Sequence, residues 1–390
     1  MSPHRAIAAV FAVHGAVAGS LATRIPWIQD HLGLGAITLG LALLCPSIGA
    51  FVAMPMASRL SYRLGSARAT RIVLALWCLA LALPALAPVP AVLFAVFLLY
   101  GAAAGMCDVV MNAHGVVLER RLGRPIISGL HGMWCLGSLA GGGVGILAAQ
   151  TGTDARTHLG AMALVMLLAG TVAGRGLFPD PPGGTLGDAP APRRFALPPK
   201  AVLGIGVVGF CGTFVEGASA NWSAVYLTEV ADAGPGTAAA SYTIFMLCMA
   251  GARLAGDRLV HRFGPVTVVR AGGVLAVAGG VTVVAARTPV LCVIGFALIG
   301  LGVAAIVPLV FAAAGNAGPT PGEGVAGVAT ITYLSGLTAP AVTGWVAGGV
   351  SYPAAFAMIT GVAVLMVLLS AVMRPRVRQA EAAGLTPCEV

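Results

Sequence analysis

Charged side chains are scarce in this sequence. Asp, Glu, Lys and Arg make up 9% of its 390 residues and hydrophobic residues 58%, whereas a soluble domain is about a quarter charged. With a mean hydropathy of +0.94, this balance excludes an ordinary soluble protein. Apolar windows of the roughly 20 residues that cross a bilayer recur from Ala6 to Met373. They predict an all-α polytopic membrane protein with twelve transmembrane helices, beginning near residues 6, 36, 72, 91, 126, 157, 201, 237, 266, 289, 324 and 352.

Ligand and nucleotide motifs are also missing. The eight cysteines are scattered singly, without a Cys-x-x-Cys pair or a Cys/His spacing, which argues against a disulfide framework and a metal site. The absence of a Walker loop and of a nucleophile–base arrangement argues against ATP-driven transport and against an enzyme. No cofactor is expected. The net charge of +9 follows the loops and does not form a basic face on a soluble module, so nucleic acid is not an expected partner.

Positive charge is unevenly shared between the two sides of the predicted helices. When the loops are assigned alternately to the two sides, only Arg24, Arg156 and Arg287 fall opposite Arg5, and the other arginines and Lys200 share its side. By the positive-inside rule, both termini are then cytoplasmic. We expect a multi-pass protein of the bacterial inner membrane.

The two halves of the sequence match each other at a constant offset. A shift of 199 residues places Arg59-Leu-Ser-Tyr-Arg-Leu-Gly65 on Arg258-Leu-Val-His-Arg-Phe-Gly264 and Gly137 on Gly336. Such an offset indicates an internal repeat and predicts two six-helix bundles. The predicted units are residues 1–177, a Pro/Gly-rich cytoplasmic linker at 178–200, residues 201–374, and a cytoplasmic tail at 375–390.

Several motifs resemble a known family. The segment Gly251-Ala-Arg-Leu-Ala-Gly-Asp-Arg-Leu-Val-His-Arg-Phe-Gly264 resembles the signature loop of the major facilitator superfamily, in which the solute site lies between two halves. Its first-half copy has Ser58 in place of Asp257. Further motifs are similar to the YbjJ-like branch, which is distantly similar to fucose permeases: Arg24-Ile-Pro, Asp108-Val-Val-Met-Asn-Ala, residues 119–131, Glu216-Gly-Ala-Ser-Ala-Asn-Trp-Ser and Ile306-Val-Pro. The resemblance implies a transporter.

Asp108 places a carboxylate in the middle of the fourth predicted span. A charge at this depth is costly unless it faces a cavity or a partner. Gly101, Gly105, Asp108, Asn112 and Gly115 follow helical spacing and share one face, which we expect to line a central cavity. The resemblance to fucose permeases implies that Asp108 and Asn112 serve substrate binding and proton coupling. The alternative is a structural Asp108 bonded to a neighbouring helix.

Glu216 is the other acid deep within a span, and Asn221 and Trp222 follow it. An acid, an amide and an indole suit a polar organic solute through hydrogen bonds and stacking. The alternatives are a structural Glu216 and a Trp222 that anchors its helix at the membrane interface. Asn221 stands where this branch usually has Asp, so the role of an acid does not carry over to it.

Three more residues are candidates for the substrate or proton site. Arg24 lies on the predicted outer side, where it attracts an anionic solute or pairs with Asp30, unless its side chain only snorkels to the interface. His14 in the first span and His131 at the start of the fifth are titratable groups. For both, the alternative is a packed histidine whose hydrogen bonds are satisfied.

A group of charged residues resembles the superfamily's cytoplasmic gate. The resemblance implies that charge-assisted pairs at this gate stabilise the outward-open state. The alternative is that these charges only orient the protein. The residues are Arg253, Asp257, Arg258 and Arg262, with Arg59 and Arg63 in the first-half copy.

Together these features predict a proton-coupled secondary transporter that moves a small polar organic solute, sugar-like or otherwise polar, by alternating access. The Asp108–Asn112 pair favours import. The expected partners of the transporter are the solute, protons and the lipid bilayer, and a monomer is expected. One alternative is a proton-driven exporter of a metabolite or drug. Another is a non-transporting membrane sensor, which would tolerate the loss of Asp108 and Glu216.

Overall fold

The computed structural model describes residues 1–34, 36–179, 198–233, 235–317 and 321–374. Within these ranges the chain is helical, with no strand. Most of the predicted linker, residues 180–197, and the whole predicted tail lie outside the described residues. The helices are α1 (Pro3–Ala22), α2 (Ile25–His31), α3 (Ala36–Leu64), α4 (Ser66–Ala80), α5 (Leu83–Leu86), α6 (Pro90–Leu122), α7 (Ile127–Gln150), α8 (Ala155–Arg175), α9 (Lys200–Ala231), α10 (Pro235–Phe263), α11 (Pro265–Ala285), α12 (Pro289–Val303), α13 (Ile306–Ala317), α14 (Pro321–Gly349) and α15 (Tyr352–Leu369), followed by a 3₁₀ turn (Ser370–Met373).

These helices form the predicted set of membrane spans. Eleven segments of the described ranges are long and apolar enough to cross a membrane, with α4–α5 and α12–α13 each counted as one. The 29-residue helix α10, which carries several charges, is the twelfth. The largest difference from the predicted starts is in the third span, which begins at Ser66 and not near residue 72. The predicted twelve-helix fold is confirmed.

The helix boundaries repeat at the predicted offset. Helices α3 and α10 begin at residues 36 and 235 and end at residues 64 and 263. Each is followed by a glycine with positive φ, 78° at Gly65 and 75° at Gly264. Glycine adopts this backbone conformation without a steric penalty, so the next helix begins immediately. This tight turn explains the early start of the third span.

One helix of the second half is interrupted where its counterpart is continuous. Helix α6 runs for 33 residues, whereas Ala304 and Ala305 separate α12 from α13. Pro308 has no amide hydrogen, so the carbonyl of Ala304, four residues earlier, has no helical donor. This carbonyl is therefore available to a side chain.

Helices α1 and α7 pack closely across the first half. A Cβ on Gly137 would collide with the backbone carbonyl of Ala12, so this approach requires glycine. The contact brings the aromatic and histidine side chains of the two helices together in the middle of the bundle. We call the end of the bundle where α1 begins and α15 ends the terminal face, and the other end the opposite face.

Candidate functional site

A cavity of about 190 Å³ lies between the two halves, near the middle of the helices. Both halves contribute to its wall, which mixes aromatic rings with ionisable and hydroxyl side chains. Its polar lining consists of His14, Asp108 and His131 from the first half and Thr213, Glu216, Arg253, Thr332 and Tyr333 from the second. The cavity is smaller than the roughly 300–1,000 Å³ that drug-sized ligands occupy, so it suits a small solute.

Both carboxylate oxygens of Asp108 accept hydrogen bonds. The Asn112 amide, one helical turn away, donates to Oδ1 over 3.1 Å and also to the Asp108 carbonyl over 2.9 Å. The Tyr333 hydroxyl of α14 donates to Oδ2 over 3.1 Å. Asp108 is thus bonded to both halves of the protein.

The chain of polar contacts continues from Asn112 to His131. Since the Asn112 amide nitrogen donates to Asp108, its Oδ1 is the acceptor that faces His131 Nε2 at 3.1 Å. The hydrogen of a neutral His131 therefore lies on Nε2. The imidazole also packs between Phe11 and Phe311, with ring centroids at 5.4 and 5.9 Å. Tyr333, Asp108, Asn112 and His131 form a continuous hydrogen-bonded row along the cavity.

His14 is held in one tautomer by tryptophan. The Trp134 indole N–H donates to His14 Nδ1 over 2.9 Å, which leaves Nε2 to donate to the carbonyl of Ala104 over 3.4 Å. The imidazole also stacks on Trp77, with ring centroids 5.1 Å apart. Protonation of Nδ1 would set two donors against each other, so this geometry favours the neutral form.

Arg253 and Glu216 form a buried ion pair in the second half. Nη2 of Arg253 lies 3.0 and 2.9 Å from the two carboxylate oxygens of Glu216. Nε donates over 3.0 Å to the Ala304 carbonyl left open by Pro308, and Nη1 contacts Cys135 Sγ of the first half at 3.1 Å. The Arg253 side chain is 3% exposed and that of Glu216 is 22% exposed. The cation is therefore anchored on several sides.

The halves are also joined between the cavity and the terminal face. The Asp257 carboxylate accepts the backbone N–H groups of Ser128 and Gly129, over 2.9 and 2.7 Å, at the first turn of α7. The Ser128 hydroxyl donates to the Arg253 carbonyl over 2.8 Å. A carboxylate at a helix N-terminus is stabilised by the unpaired amides and the helix dipole. These contacts close the space between α7 and α10.

A second contact joins the halves near the terminal face. Arg120, at the end of α6, donates to the Asn316 side chain and to the Gly315 carbonyl of α13. Glu119 caps the start of α7 within the first half, where its Oε2 accepts the amides of Ile126 and Ile127 over 2.8 and 3.2 Å. The segment 119–131 thus supplies both a cap within one half and contacts across the interface.

The structure brings five of the predicted substrate and proton residues into one place. His14, Asp108, His131 and Glu216 line the cavity, and Asn112 bonds to two of them. The other three predicted residues lie elsewhere.

Arg24, Trp222 and Asn221 are the predicted residues outside the cavity. Arg24 donates to His158 Nδ1 over 3.1 Å and to the Thr153 carbonyl over 3.1 Å, within the first half. Trp222 packs near Gly344 and Tyr352. Asn221 is exposed. Positions five and six residues beyond Glu216 lie about 140° and about 120° from it around a helix, in opposite senses, which explains why neither faces the cavity.

The predicted gating residues divide into two groups. Asp257 lies at the contact between the halves, and Arg253 has its carbonyl at that contact but its side chain in the cavity. The remaining predicted arginines lie toward the terminal face on α3 and α10. Arg59 is half-buried, whereas Arg63, Arg258 and Arg262 are exposed.

Sequence reasoning missed Tyr333 and the orientation of Arg253. A tyrosine within an apolar span carries no special signal, and its contact with Asp108 depends on how the halves dock. The signal for Arg253 was present in Ile306-Val-Pro, because Pro308 leaves a carbonyl without its helical donor. Within the described ranges, no group of His, Cys, Asp and Glu is arranged to hold a metal ion.

The chain matches known proteins over most of its length. The family model of the Major Facilitator Superfamily matches residues 7–320 and, in a second match, residues 205–386. An uncharacterized MFS-type transporter of Yersinia pestis is 33% identical over 351 residues, 90% of each chain. An uncharacterized transporter of Sinorhizobium fredii is 30% identical over 375 residues, 96% of this chain and 99% of the relative. The fold is similar to FucP, the E. coli fucose:proton symporter, in its outward conformation, with a TM-score of 0.79, 16% identity, and coverage of 96% of this chain and 99% of FucP.

Proposed function

The chain belongs to the major facilitator superfamily and is a transporter of that family, and we propose that it couples the movement of a small polar organic solute to protons through Asp108. The solute occupies the cavity between the halves. We propose that it acts as a monomer. The similarity in fold to a fucose:proton symporter supports a sugar-like solute and proton coupling.

The bond between Asp108 and Tyr333 carries this proposal. An ionised Asp108 only accepts hydrogen bonds, which matches the two donors that face its oxygens. When a proton binds to Oδ2, that oxygen becomes a donor, and the Tyr333 hydroxyl must either turn to accept or move away. Because Tyr333 belongs to the other half, the proton state of Asp108 changes a contact on which the relative position of the halves depends.

Tyr333 is also well placed to respond to the solute. It lines the central cavity and a second, open cavity of about 340 Å³ whose wall includes Ala18, Leu21 and Ile25 from the opposite-face end of the first half. Tyr333 therefore lies between the two spaces, and its movement would change how they are separated. We propose that solute and proton enter by this route and meet at Asp108.

The contacts of Asp257 define the other gate. By the positive-inside rule, we propose that the terminal face and both termini are cytoplasmic. We also propose that the helices lie in a bacterial inner membrane. In this orientation the Asp257 contacts at the start of α7 close the cytoplasmic route. The structure then corresponds to an outward-facing state, and opening toward the cytoplasm requires these contacts to separate while others form on the opposite face.

Proton movement with solute is the direct test. The purified protein is reconstituted in liposomes that contain a pH-sensitive dye, and L-fucose, D-glucose, D-glucuronate or D-glucosamine is added outside at an acidic external pH. We expect the interior to acidify when a transported solute is added. Uptake of a labelled member of this panel without any change in internal pH would contradict proton coupling. Empty liposomes and an Asp108→Asn variant serve as controls.

A further inference from the structure

The guanidinium of Arg253 has other contacts in addition to its ion pair with Glu216. It lies at the wall of the cavity and is held from behind by the Ala304 carbonyl and by Cys135 Sγ. A thiol is a weak hydrogen-bond acceptor compared with a carboxylate. The anchoring by the Ala304 carbonyl depends on Pro308, so the interruption between α12 and α13 fixes the direction of the cation.

Glu216 pairs with Arg253 through a single nitrogen of the guanidinium. Both of its oxygens contact the same nitrogen, Nη2 of Arg253. A planar carboxylate binds a guanidinium best when its two oxygens meet two different nitrogens. The pairing with Glu216 therefore leaves donor capacity on Arg253 unused. Glu216 is also the more exposed of the two side chains, at 22% against 3%.

From this geometry we propose that Arg253 recognises a carboxylate on the transported solute. This carboxylate binds the guanidinium either in place of Glu216 or alongside it. A buried cation needs a counter-charge at every stage of the cycle. A neutral sugar cannot release Glu216 from Arg253 without leaving the cation unpaired, whereas a carboxylate can. The solute class is then a small polar acid, such as a sugar acid, whose hydroxyl groups face Asp108 and Tyr333. This inference rests on the proposed function, because it concerns the same cavity.

The charges of the proposed transport step balance. The solute brings one negative charge into a cavity that already holds Glu216 and Asp108 against the single cation Arg253. The proton that the proposed function assigns to Asp108 offsets that added charge. The anion and the proton then cross together without net charge movement.

The recognition step also reaches the gate. The Arg253 carbonyl accepts the Ser128 hydroxyl at the contact between α7 and α10. A solute that binds the Arg253 side chain therefore contacts the same residue whose backbone carbonyl helps to close the terminal face. This gives a direct structural path from solute binding to opening.

Chemical rescue tests the proposal on the ion pair itself and requires no transported solute. A Glu216→Ala variant leaves Arg253 without its counter-charge, and sodium acetate is the probe. We expect acetate to raise the melting temperature of purified full-length Glu216→Ala by several degrees over sodium chloride at equal ionic strength, because a ligand of the native state stabilises it. Acetamide, which has a similar shape without the charge, should have no such effect.

Matched variants separate the possible outcomes. The acetate effect should disappear in a Glu216→Ala/Arg253→Gln double variant and should be absent in Glu229→Ala, which removes an exposed acid of the same helix. Equal melting temperatures of Glu216→Ala in acetate and chloride would overturn the proposal. If Glu216→Ala does not fold, Glu216→Gln is the second variant, and the same difference between acetate and chloride is required of it.

Solute selectivity provides an independent measurement. For the wild-type protein we expect D-glucuronate to bind at least about tenfold more tightly than D-glucose, a factor that corresponds to one added charge-assisted contact. Preferential binding of D-glucosamine or D-glucose would overturn the proposal. A different result would refute the proposed function alone. If Asp108→Asn transports as the parent does while acetate still stabilises Glu216→Ala, the assignment of the proton to Asp108 is wrong and the carboxylate site stands.

Discussion

The hydroxyl of Tyr333 donates a hydrogen bond over 3.1 Å to Oδ2 of Asp108, which joins the second half of the transporter to the first within the central cavity. Asn112 occupies the other oxygen of the same carboxylate. The two bonds differ in what they hold together: that of Asn112 lies within one helix, whereas that of Tyr333 crosses between the halves. A proton on Asp108 therefore affects both local structure and the contact between halves.

A Tyr333→Phe variant removes this crossing bond and keeps the ring. A hydrogen bond to a charged group is worth about 1.5–3 kcal/mol, and about 1.4 kcal/mol corresponds to a factor of ten. We therefore expect proton entry with solute into liposomes to fall at least about tenfold. Tyr352→Phe removes a hydroxyl from a partly buried tyrosine of α15, which packs near Trp222 outside the cavity, and is the matched control. An unchanged rate in Tyr333→Phe would mean that this bond does not contribute to coupling.

An Asp257→Asn variant weakens the cap on the first turn of α7. The amides of Ser128 and Gly129 would lose a charged acceptor that is worth about 1.5–3 kcal/mol. We expect their hydrogen exchange to accelerate at least about tenfold. Glu119→Gln is the control, because it weakens the cap at Ile126 and Ile127 within one half. Only Asp257→Asn should also accelerate exchange in the facing part of α10; equal behaviour of the two variants would argue against a gate at Asp257.

His14 should contribute to stability and not to proton transfer. Asn at this position offers an acceptor near that of Nδ1, whereas Phe leaves the Trp134 N–H without one. We expect His14→Phe to lower the free energy of unfolding by about 1–3 kcal/mol and His14→Asn to lower it less. Both changes in the free energy of unfolding are measured by denaturation of the purified variants. A transport rate in His14→Asn that no longer varies with pH as in the parent would instead identify His14 as a proton carrier.

A Pro308→Ala variant tests the anchoring of Arg253. The new amide hydrogen can bond to the Ala304 carbonyl and compete with Nε of Arg253. Removal of a proline from within a helical segment also favours the helix, by as much as about 3 kcal/mol. We expect a higher melting temperature together with slower transport. Pro289→Ala, at the start of α12, is the control and should leave transport unchanged; equal transport by Pro308→Ala and the parent would show that the open carbonyl is dispensable.

The architecture was predictable from the sequence because its signals are local or repeated. Eleven spans are marked by a long apolar window, and the charged helix α10 is identified as the repeat of α3. The offset of 199 residues appears both in the sequence and in the bounds of α3 and α10. The position of Asp108 was informative for a related reason: an acid in an apolar helix requires a partner or a cavity. The structure provides both.

The remaining parts of the site depend on side-chain direction and on the docking of the halves. Asn221 and Trp222 lie close to Glu216 in sequence, yet the helical rotation of 100° per residue turns them away from it. Arg253 lies one helical turn from Asp257, and its sequence position suggested the charged gate, but its long side chain extends to Glu216. Tyr333 is 225 residues from Asp108 and becomes its partner only when the two bundles meet.

The central claim, that Asp108 carries the coupled proton, is tested most directly by one comparison in liposomes. Accumulation of labelled solute driven by a pH gradient is measured beside the exchange of labelled for unlabelled solute at equal pH, in the parent and in Asp108→Asn, with the solute that gives the largest proton signal in the parent. Asn keeps the shape of the side chain and removes its charge. We predict that Asp108→Asn loses accumulation and retains exchange, because binding and the movement of the halves persist without the proton. Accumulation by Asp108→Asn equal to that of the parent would contradict the assignment.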